Sequence, residues 1–479
     1  MEASSRITRT ETKAPVYLSF RSSKTWILST VALASFSDTF LYSIVVPVFP
    51  ASLPERAHVA PGNVQIWLSI LLAIYGGALL VAAPLTGFIL DKCQSRKIPF
   101  LSGLLTLAAA TAMLCVGNST GLLIAGRALS GASAAIVWTG SAVIITANVD
   151  QDEVGKALGI VALALNIGSL AGPILGGLVY QHGGYYAVFG MAFGVLGADA
   201  ILRLLMIEKA DAVKWLPEET AVTTATGGHT VDLERNSNRI AILMDAEATT
   251  QTALEFRVPK KRLPTTVRLL SSYRILLTLA GGFVMASLLA AFETVLPLYV
   301  ENEFHFSSTG AGLIFLPLVI PSLVDPLIGH LCDRHSWLIR YIAAAGFIGA
   351  ICPLVLLRLV TRNSMRQIVL LCALLAIIGF CVAITAAPLL LEINSAVAVM
   401  ERANPMTFGK NGATAQGYGL FICAFAGGSL AGPLIAGLIK DRFGWGTMAW
   451  VLGLLSGVIS PFVLLWLGGW IGKKRNQPP

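Results

Sequence analysis

A chain of 479 residues that is 55% hydrophobic and 13% charged falls well short of the roughly 25% charge of a soluble domain, so its class is a polytopic membrane protein. The formal charge of +8 does not imply nucleic acid, because the basic residues sort by side of a membrane instead of forming a patch. Seven cysteines, most inside apolar runs, read as small packing residues rather than a disulfide framework, and no Cys/His spacing suits zinc.

Residues 1–25 are polar and basic and read as a cytoplasmic tail. The first apolar run is too long for a signal core and lacks a small-residue cleavage site, so it is a retained span, from about Trp26 to Pro50, with Asp38 inside it. Span two runs from about Gln65 to Leu90, and the turn Asp91 to Pro99 leads into span three, ending near Gly117. Span four, about Gly121 to Ala147, carries Arg127; span five covers Val154 to Tyr180, and span six ends near Ile207. Residues 208–270 lack a sustained apolar period and read as a cytoplasmic linker, disordered in its middle. Further spans begin near Arg274 and near positions 308, 337, 366, 413 and 445. Each has about 20 residues or more, enough for a hydrocarbon core of about 30 Å.

The count is six plus six: an all-α protein of twelve transmembrane helices in two pseudo-symmetric six-helix bundles, at 26–207 and 271–470, with a tail at 471–479. Gly168-Ser-Leu-Ala-Gly-Pro173 returns unchanged as Gly428-Ser-Leu-Ala-Gly-Pro433. Gly168, Gly172 and Gly176 recur every four residues, with Pro173 and Gly177 between and beside them, and make a face for close helix approach. With Gly428, Gly432 and Pro433 they are expected to form surfaces along which the halves rock. Gly87-x-x-x-Asp91 ends span two and Gly329-x-x-x-Asp333 ends span eight, each acid followed by a base, Lys92 and Arg334. A glycine one turn before the acid lets another helix approach, and the acid can then latch onto a helix terminus or base; Arg96 and Lys97 complete the cytoplasmic loop. Asp38-Thr39 is matched with Glu293-Thr294 as a third register of the repeat. On this assignment 25 of the 34 lysines and arginines lie on one side, which puts both termini in the cytoplasm.

A charge at bilayer depth is costly and therefore a functional candidate. Asp38 is mid-span with Tyr42 one turn on, within reach of a hydrogen bond; the competing reading is a structural polar residue facing another helix. Arg127 has no acid fixed as its partner, and Glu293 and Glu392 are further proton or substrate candidates. Asp325 precedes a proline and either lines a cavity or caps local backbone, and Asp199 and Arg203 have the spacing of a local pair. Asn118-Ser-Thr120 is a glycosylation sequon in an outer loop too short to favour occupancy.

These stretches resemble the major facilitator superfamily. Gly87 through Lys97 is similar to its signature loop, Gly126-Arg-Ala-Leu-Ser-Gly131 to its span-four motif with an embedded arginine, and Gly168 through Gly177 to the span-five motif of proton antiporters. Leu41 through Pro50 and Ala134-Ala-Ile-Val-Trp138 look like fungal exporters of the drug:proton antiporter branch, which also holds the vesicular monoamine transporters. The resemblance covers nearly all twelve spans. Departures are Ser95 where glycine is frequent, Ser130 where glutamine is common, and no carboxylate in span eleven, which weighs against an amine. The resemblance implies a monomer in the lipid bilayer that uses no cofactor and no nucleic acid, and exports a small hydrophobic molecule by exchanging it for protons. The plasma membrane is the expected site, with loading of a vacuole or vesicle as the alternative. A receptor that has kept the fold and an integral membrane enzyme are the readings from other classes. No Ser-His-Asp or metal-ligand grouping shares a membrane depth to support the enzyme.

Overall fold

The computed structural model describes residues 15–93, 95–212, 215, 264–306, 308–403, 408 and 412–469. The middle of the expected linker, with the expectation of disorder there, lies outside these residues, as do most of both tails. Among the described residues there are helices and no strands.

The chain divides into two units. One joins Met1–Ile27 to Leu205–Arg262; in it a helical turn, Leu18–Arg21, is tied to the chain after residue 204. Arg21 Nε donates to the Leu205 carbonyl at 2.6 Å, and the Ile207 amide donates to the Arg21 carbonyl at 3.1 Å. The other, Leu28–Leu204 with Leu263–Pro479, is the membrane body.

Eleven helices among the described residues are long and apolar enough to cross a bilayer. The first half contributes α1 (Lys24–Ile44), α2 (Val64–Lys92), α3 (Lys97–Val116), α4 (Thr120–Asn148) and α5 (Val154–Leu205). The second half contributes α6 (Tyr273–Phe304), the crossing Leu316–Arg334 whose last helix is α7 (Asp325–Arg334), α8 (Leu338–Leu356), α9 (Met365–Ala403), α10 (Thr414–Phe443) and α11 (Trp445–Trp466). At 1.5 Å per residue the 52 residues of α5 would run about 78 Å, more than twice the hydrocarbon core. Gly184, at φ 72° and ψ −172°, breaks the run into two arms. Gly444, between α10 and α11, has nearly the same conformation, φ 85° and ψ 171°. The two glycines stand at the same place in the repeat, so α5 is two crossings and the total is twelve.

Two expectations need correction. Span one does not continue to Pro50: α1 stops at Ile44, and a separate short helix, Phe49–Ala57, starts with Pro50 in its first turn. Pro47 lacks an amide hydrogen, and the chain there closes tighter turns, from the Val46 amide to Ser43 and from Val48 to Val45. Span eight is not one helix but Ser308–Leu313, Leu316–Val319, a 3-10 turn Ile320–Val324 and α7. Pro317, Pro321 and Pro326 each remove a donor from that stretch.

The first half packs Phe40, Ile44, Phe49, Leu53, Leu71, Leu107, Phe189 and Leu196 into one core. In the second half Tyr299 stacks on Trp445 with ring centroids 3.7 Å apart, and the Trp445 indole donates to the Leu357 carbonyl at 2.9 Å. Val81, Leu105, Ile201, Leu434, Leu454 and Val458 are exposed, as lipid-facing side chains of a membrane bundle are.

Candidate functional site

The repeated glycine face holds each half together; it does not lie between the halves, which corrects the rocking expectation. A Cβ on Gly168, Gly172 or Gly176 would sit 2.6, 2.8 or 2.6 Å from the carbonyl oxygens of Phe36, Phe40 and Ile44 on α1. Gly428 and Gly432 of α10 approach the Phe283 and Ser287 carbonyls of α6 in the same way. Ser43 Oγ donates to the Gly168 carbonyl at 3.3 Å and Ser287 Oγ to the Gly428 carbonyl at 3.1 Å. Pro173 lies within α5 and Pro433 within α10, and Gly177 only skirts Pro47. The glycine contacts align Phe36 with Phe283 and Phe40 with Ser287, which places Met285 opposite Asp38 and Val46 opposite Glu293. Asp38 and Glu293 are therefore not a repeat pair, and Glu293 sits about two turns, or roughly 12 Å, further along its helix.

Contacts between the halves come from other residues. The Asp91 carboxylate at the end of α2 accepts from the Ala415 and Gln416 amides at 2.9 and 3.0 Å, and from Gln416 Nε2 at 3.1 Å. Reciprocally, the Asp333 carboxylate at the end of α7 accepts from the Gly155 and Lys156 amides at 2.7 and 2.8 Å. Each acid caps the first turn of a helix in the opposite half, where free amides and the helix dipole favour an anion. Gly87 permits this, since a Cβ there would meet Gln416 Cα at 2.9 Å, and Gly329 packs on the Gly155 backbone. The bases lie outside the caps: Lys92 Nζ sits 4.0 Å over the Phe88 ring, Arg96 reaches the Val143 carbonyl at 3.4 Å, and Lys97 the Leu204 carbonyl at 3.0 Å. Arg334 ends α7, exposed.

Deeper in the first half, Asp38 is 1% exposed. Its Oδ2 accepts from Trp138 Nε1 of α4 at 2.9 Å, and Oδ1 meets no donor. The expected bond to Tyr42 is absent: the Tyr42 ring turns onto Tyr75 of α2, centroids 4.3 Å apart. Asp38, Tyr42, Tyr75, Thr111 and Ser130 border a void of about 10 Å³, close to the least that holds one water. Tyr75 is buried with its hydroxyl unpartnered. Trp138 meets Phe425 of α10 edge-on at 5.8 Å, so the ring that binds Asp38 also touches the other half. Arg127 is fully buried and bonds a single carbonyl, that of Tyr42, at 3.3 Å. Its guanidinium lies 5.5 Å from the Tyr42 ring and 5.1 Å from Phe49, while Nε and Nη2 have no partner. Glu293 is exposed on α6.

Glu392 stands apart from this cluster. It is buried in an ion pair with Arg274 at 2.7 Å and accepts the Gly468 amide at 3.0 Å, which ties α9 to α6 and to the end of α11. Asp199 and Arg203 form the expected local pair, bidentate at 2.8 and 2.6 Å, with Arg203 also on the Phe100 carbonyl. Asn118 is exposed in a three-residue loop, where its Oδ1 accepts from Arg56 at 3.0 Å and Ser119 caps α4. Trp138 entered the sequence reading only within a motif, and Tyr75 and Arg274 were given no role there; aromatic and basic residues in spans and at their ends are too common to stand out without their partners.

Residues 31–408 match the model of the Major Facilitator Superfamily. The chain belongs to the major facilitator superfamily. An uncharacterized MFS-type transporter of Schizosaccharomyces pombe is 34% identical, over 91% of this chain and 94% of its own. The MFS-type transporter ppzB of Metarhizium rileyi is 29% identical over 95% of this chain and 97% of its own. A probable vesicular acetylcholine transporter of Danio rerio is 30% identical over 38% of each chain. The human organic anion transporter MFSD10 shares the fold, with a TM-score of 0.63 at 17% identity over 92% of this chain and 99% of its own. This major facilitator protein is thus a multi-pass membrane transporter, in a superfamily that is a transport class and not an enzyme class.

Proposed function

We propose that this transporter exports a small hydrophobic molecule in exchange for protons, by alternating access, across the plasma membrane with both termini in the cytoplasm. The observation that carries the reading is Asp38: a buried carboxylate at bilayer depth beside a water-sized void, one oxygen held by Trp138 and the other without a partner. Burying an anion with half its hydrogen bonds unmade is costly, so the site suits a group that gains and loses a proton. Arg127, unpaired and fully buried in the same half, supplies a positive charge that a moving carboxylate can approach. Glu293, exposed on the other half, is the second proton or substrate candidate. The apolar surroundings and the lack of an acid in the interior of α10 favour a neutral or weakly polar substrate. The proton gradient supplies the energy, so no cofactor is required, and a single chain contains both halves. The capped helices then hold the cytoplasmic side shut until substrate and proton exchange releases them.

The test is uptake into inside-out vesicles with and without a protonophore. Asp38→Asn is expected to abolish uphill accumulation while the protein stays folded in the membrane; wild-type accumulation that survives the protonophore would refute proton coupling. A second reading, loading of an acidic vesicle, is favoured by the likeness to a vesicular acetylcholine transporter over 38% of the chain. Fractionation of the tagged full-length protein separates the two.

A further inference from the structure

We propose that Asp325 and Asn166 form a proton-binding site at the contact between the halves, and that this contact closes only when Asp325 carries a proton. The proposal takes from the proton-exchange reading only that protons are the coupling ion.

The start of α5 and the start of α7 meet so closely that a Cβ on Gly159 would lie 2.7 Å from the Asp325 carbonyl carbon and 2.8 Å from Pro326 Cα. The Asp325 side chain is 0% exposed in that seam. Asn166 Nδ2 donates to Oδ2 at 3.3 Å, the long end of hydrogen-bond geometry, and Oδ1 has no partner. An ionised carboxylate accepts on both oxygens, and this seam offers it one weak donor. The neutral acid loses far less hydration on burial and brings its own donor.

Packing does not require the pair. The Asp91 and Asp333 caps set the two inter-half contacts in register, which places Ala83 opposite Asp325, Gly419 opposite Gly159 and Ala426 opposite Asn166. In the sister contact a Cβ on Gly419 would meet the Ala83 carbonyl at 2.6 Å, the same close approach, with alanine at both counterpart positions. One seam is therefore apolar at these two positions, where the other carries a carboxyl and an amide.

The charged and titratable groups of the packed elements leave Asp325 alone. The turn Gln151–Glu153 presents Asp152 and Glu153, α5 presents Lys156 with an exposed side chain, and α7 itself presents His330 and Asp333 toward its far end. Glu392 of α9 is paired with Arg274, and Arg340 of α8 bonds the Leu467 carbonyl. Among the described residues Asn166 is the only hydrogen-bond partner of the Asp325 side chain. Asp333 also titrates at this contact, with burial opposing and its two amide donors favouring the ion. The difference between wild type and an Asp325 variant, at fixed Asp333, isolates the site.

The test uses the full-length protein in proteoliposomes, with spin labels placed as unnatural amino acids at the exposed Gln151 and Trp337. As pH rises, the wild type is expected to shift from a short to a long label separation; Asp325→Asn, which imitates the protonated acid, should keep the short one throughout. Asp325→Ala, which copies Ala83, should behave like the asparagine variant. Infrared spectra of the same samples should contain a protonated-carboxyl band that Asp325→Asn removes and Asp38→Asn leaves. A pH-dependent shift or a carboxyl band unchanged by both Asp325 variants would overturn the site. Transport that ignores the pH gradient, with the Asp325 band and shift intact, would instead overturn the exchange reading and leave the site standing.

Discussion

Trp138 donates its indole hydrogen to Oδ2 of Asp38, 2.9 Å away and one hundred residues along the chain. The bond joins α1 to α4, and through the edge contact of Trp138 with Phe425 it reaches the opposite half. On the proposed exchange reading, a change of protonation at Asp38 would be felt where the halves meet.

Replacing Trp138 with phenylalanine keeps an aromatic ring and removes the only hydrogen-bond donor to Asp38 among the described residues. A hydrogen bond to a charged group contributes about 1.5–3 kcal/mol, which corresponds to roughly 10- to 150-fold. Trp138→Phe is expected to reach the membrane normally and to lose at least tenfold in proton-driven uptake. Flux assays normalised to surface protein check this, and normal uptake would remove Trp138 from the site.

The two capping acids give a second expectation. Asp91→Ala or Asp333→Ala each leaves helix-terminal amides without an acceptor, a change of about 1–2 kcal/mol against the closed contact. A cysteine at Ala83, buried against Gly419, should then react about 5- to 30-fold faster with an impermeant thiol reagent applied from the cytoplasmic side. Combining both substitutions should open the contact further than either alone. Equal labelling rates in all four proteins would show that the caps do not hold this side shut.

Glycines on the two kinds of contact should fail differently. Gly172→Leu drives a side chain into the α1 backbone within one half and is expected to yield little surface protein. Gly159→Ala places a methyl against Asp325 between the halves, and should give normal surface protein biased toward an open contact. Surface biotinylation with the label separation between Gln151 and Trp337 distinguishes them; normal surface levels for Gly172→Leu would restore a working role to that face.

Asp199 and Arg203 are both 0% exposed and share two hydrogen bonds. Removing one partner leaves a buried charge, at a cost of about 3–5 kcal/mol. Asp199→Ala should lower the Tm in detergent sharply, while Asp199→Leu with Arg203→Leu should recover most of the loss. A double variant as unstable as the single one would mean that the pair does more than satisfy itself.

The number of crossings was legible because apolar run length is a property of local sequence, as was the pair Asp91 and Asp333, marked by a glycine one turn before each. What each acid touches was not legible. The partner of Asp38 lies on another helix, and the tyrosine one turn away, which local spacing favours, is turned onto Tyr75 instead. The glycine faces announced a close approach without saying to which helix, so a contact inside each half was read as one between halves. Glu293 resembled Asp38 because Asp-Thr and Glu-Thr look alike, whereas the register is set by backbone contacts at Phe36 and Phe283. Asp325 gave little signal, since only its alanine counterpart in the sister contact shows that an acid is not required there.

The reciprocity of the caps has one more consequence. Asp91 of the first half holds α10 of the second, and Asp333 of the second holds α5 of the first. Such an exchange is the pattern of an isologous interface, in which one surface meets a copy of itself across a two-fold axis. A six-helix polypeptide carrying one such acid and one such helix start could close both contacts as a homodimer. The fused chain then gains what a symmetric dimer cannot have, the freedom to change one contact alone. Asp325 opposite Ala83 is the mark of that freedom, a chemical difference at positions that symmetry would have kept identical.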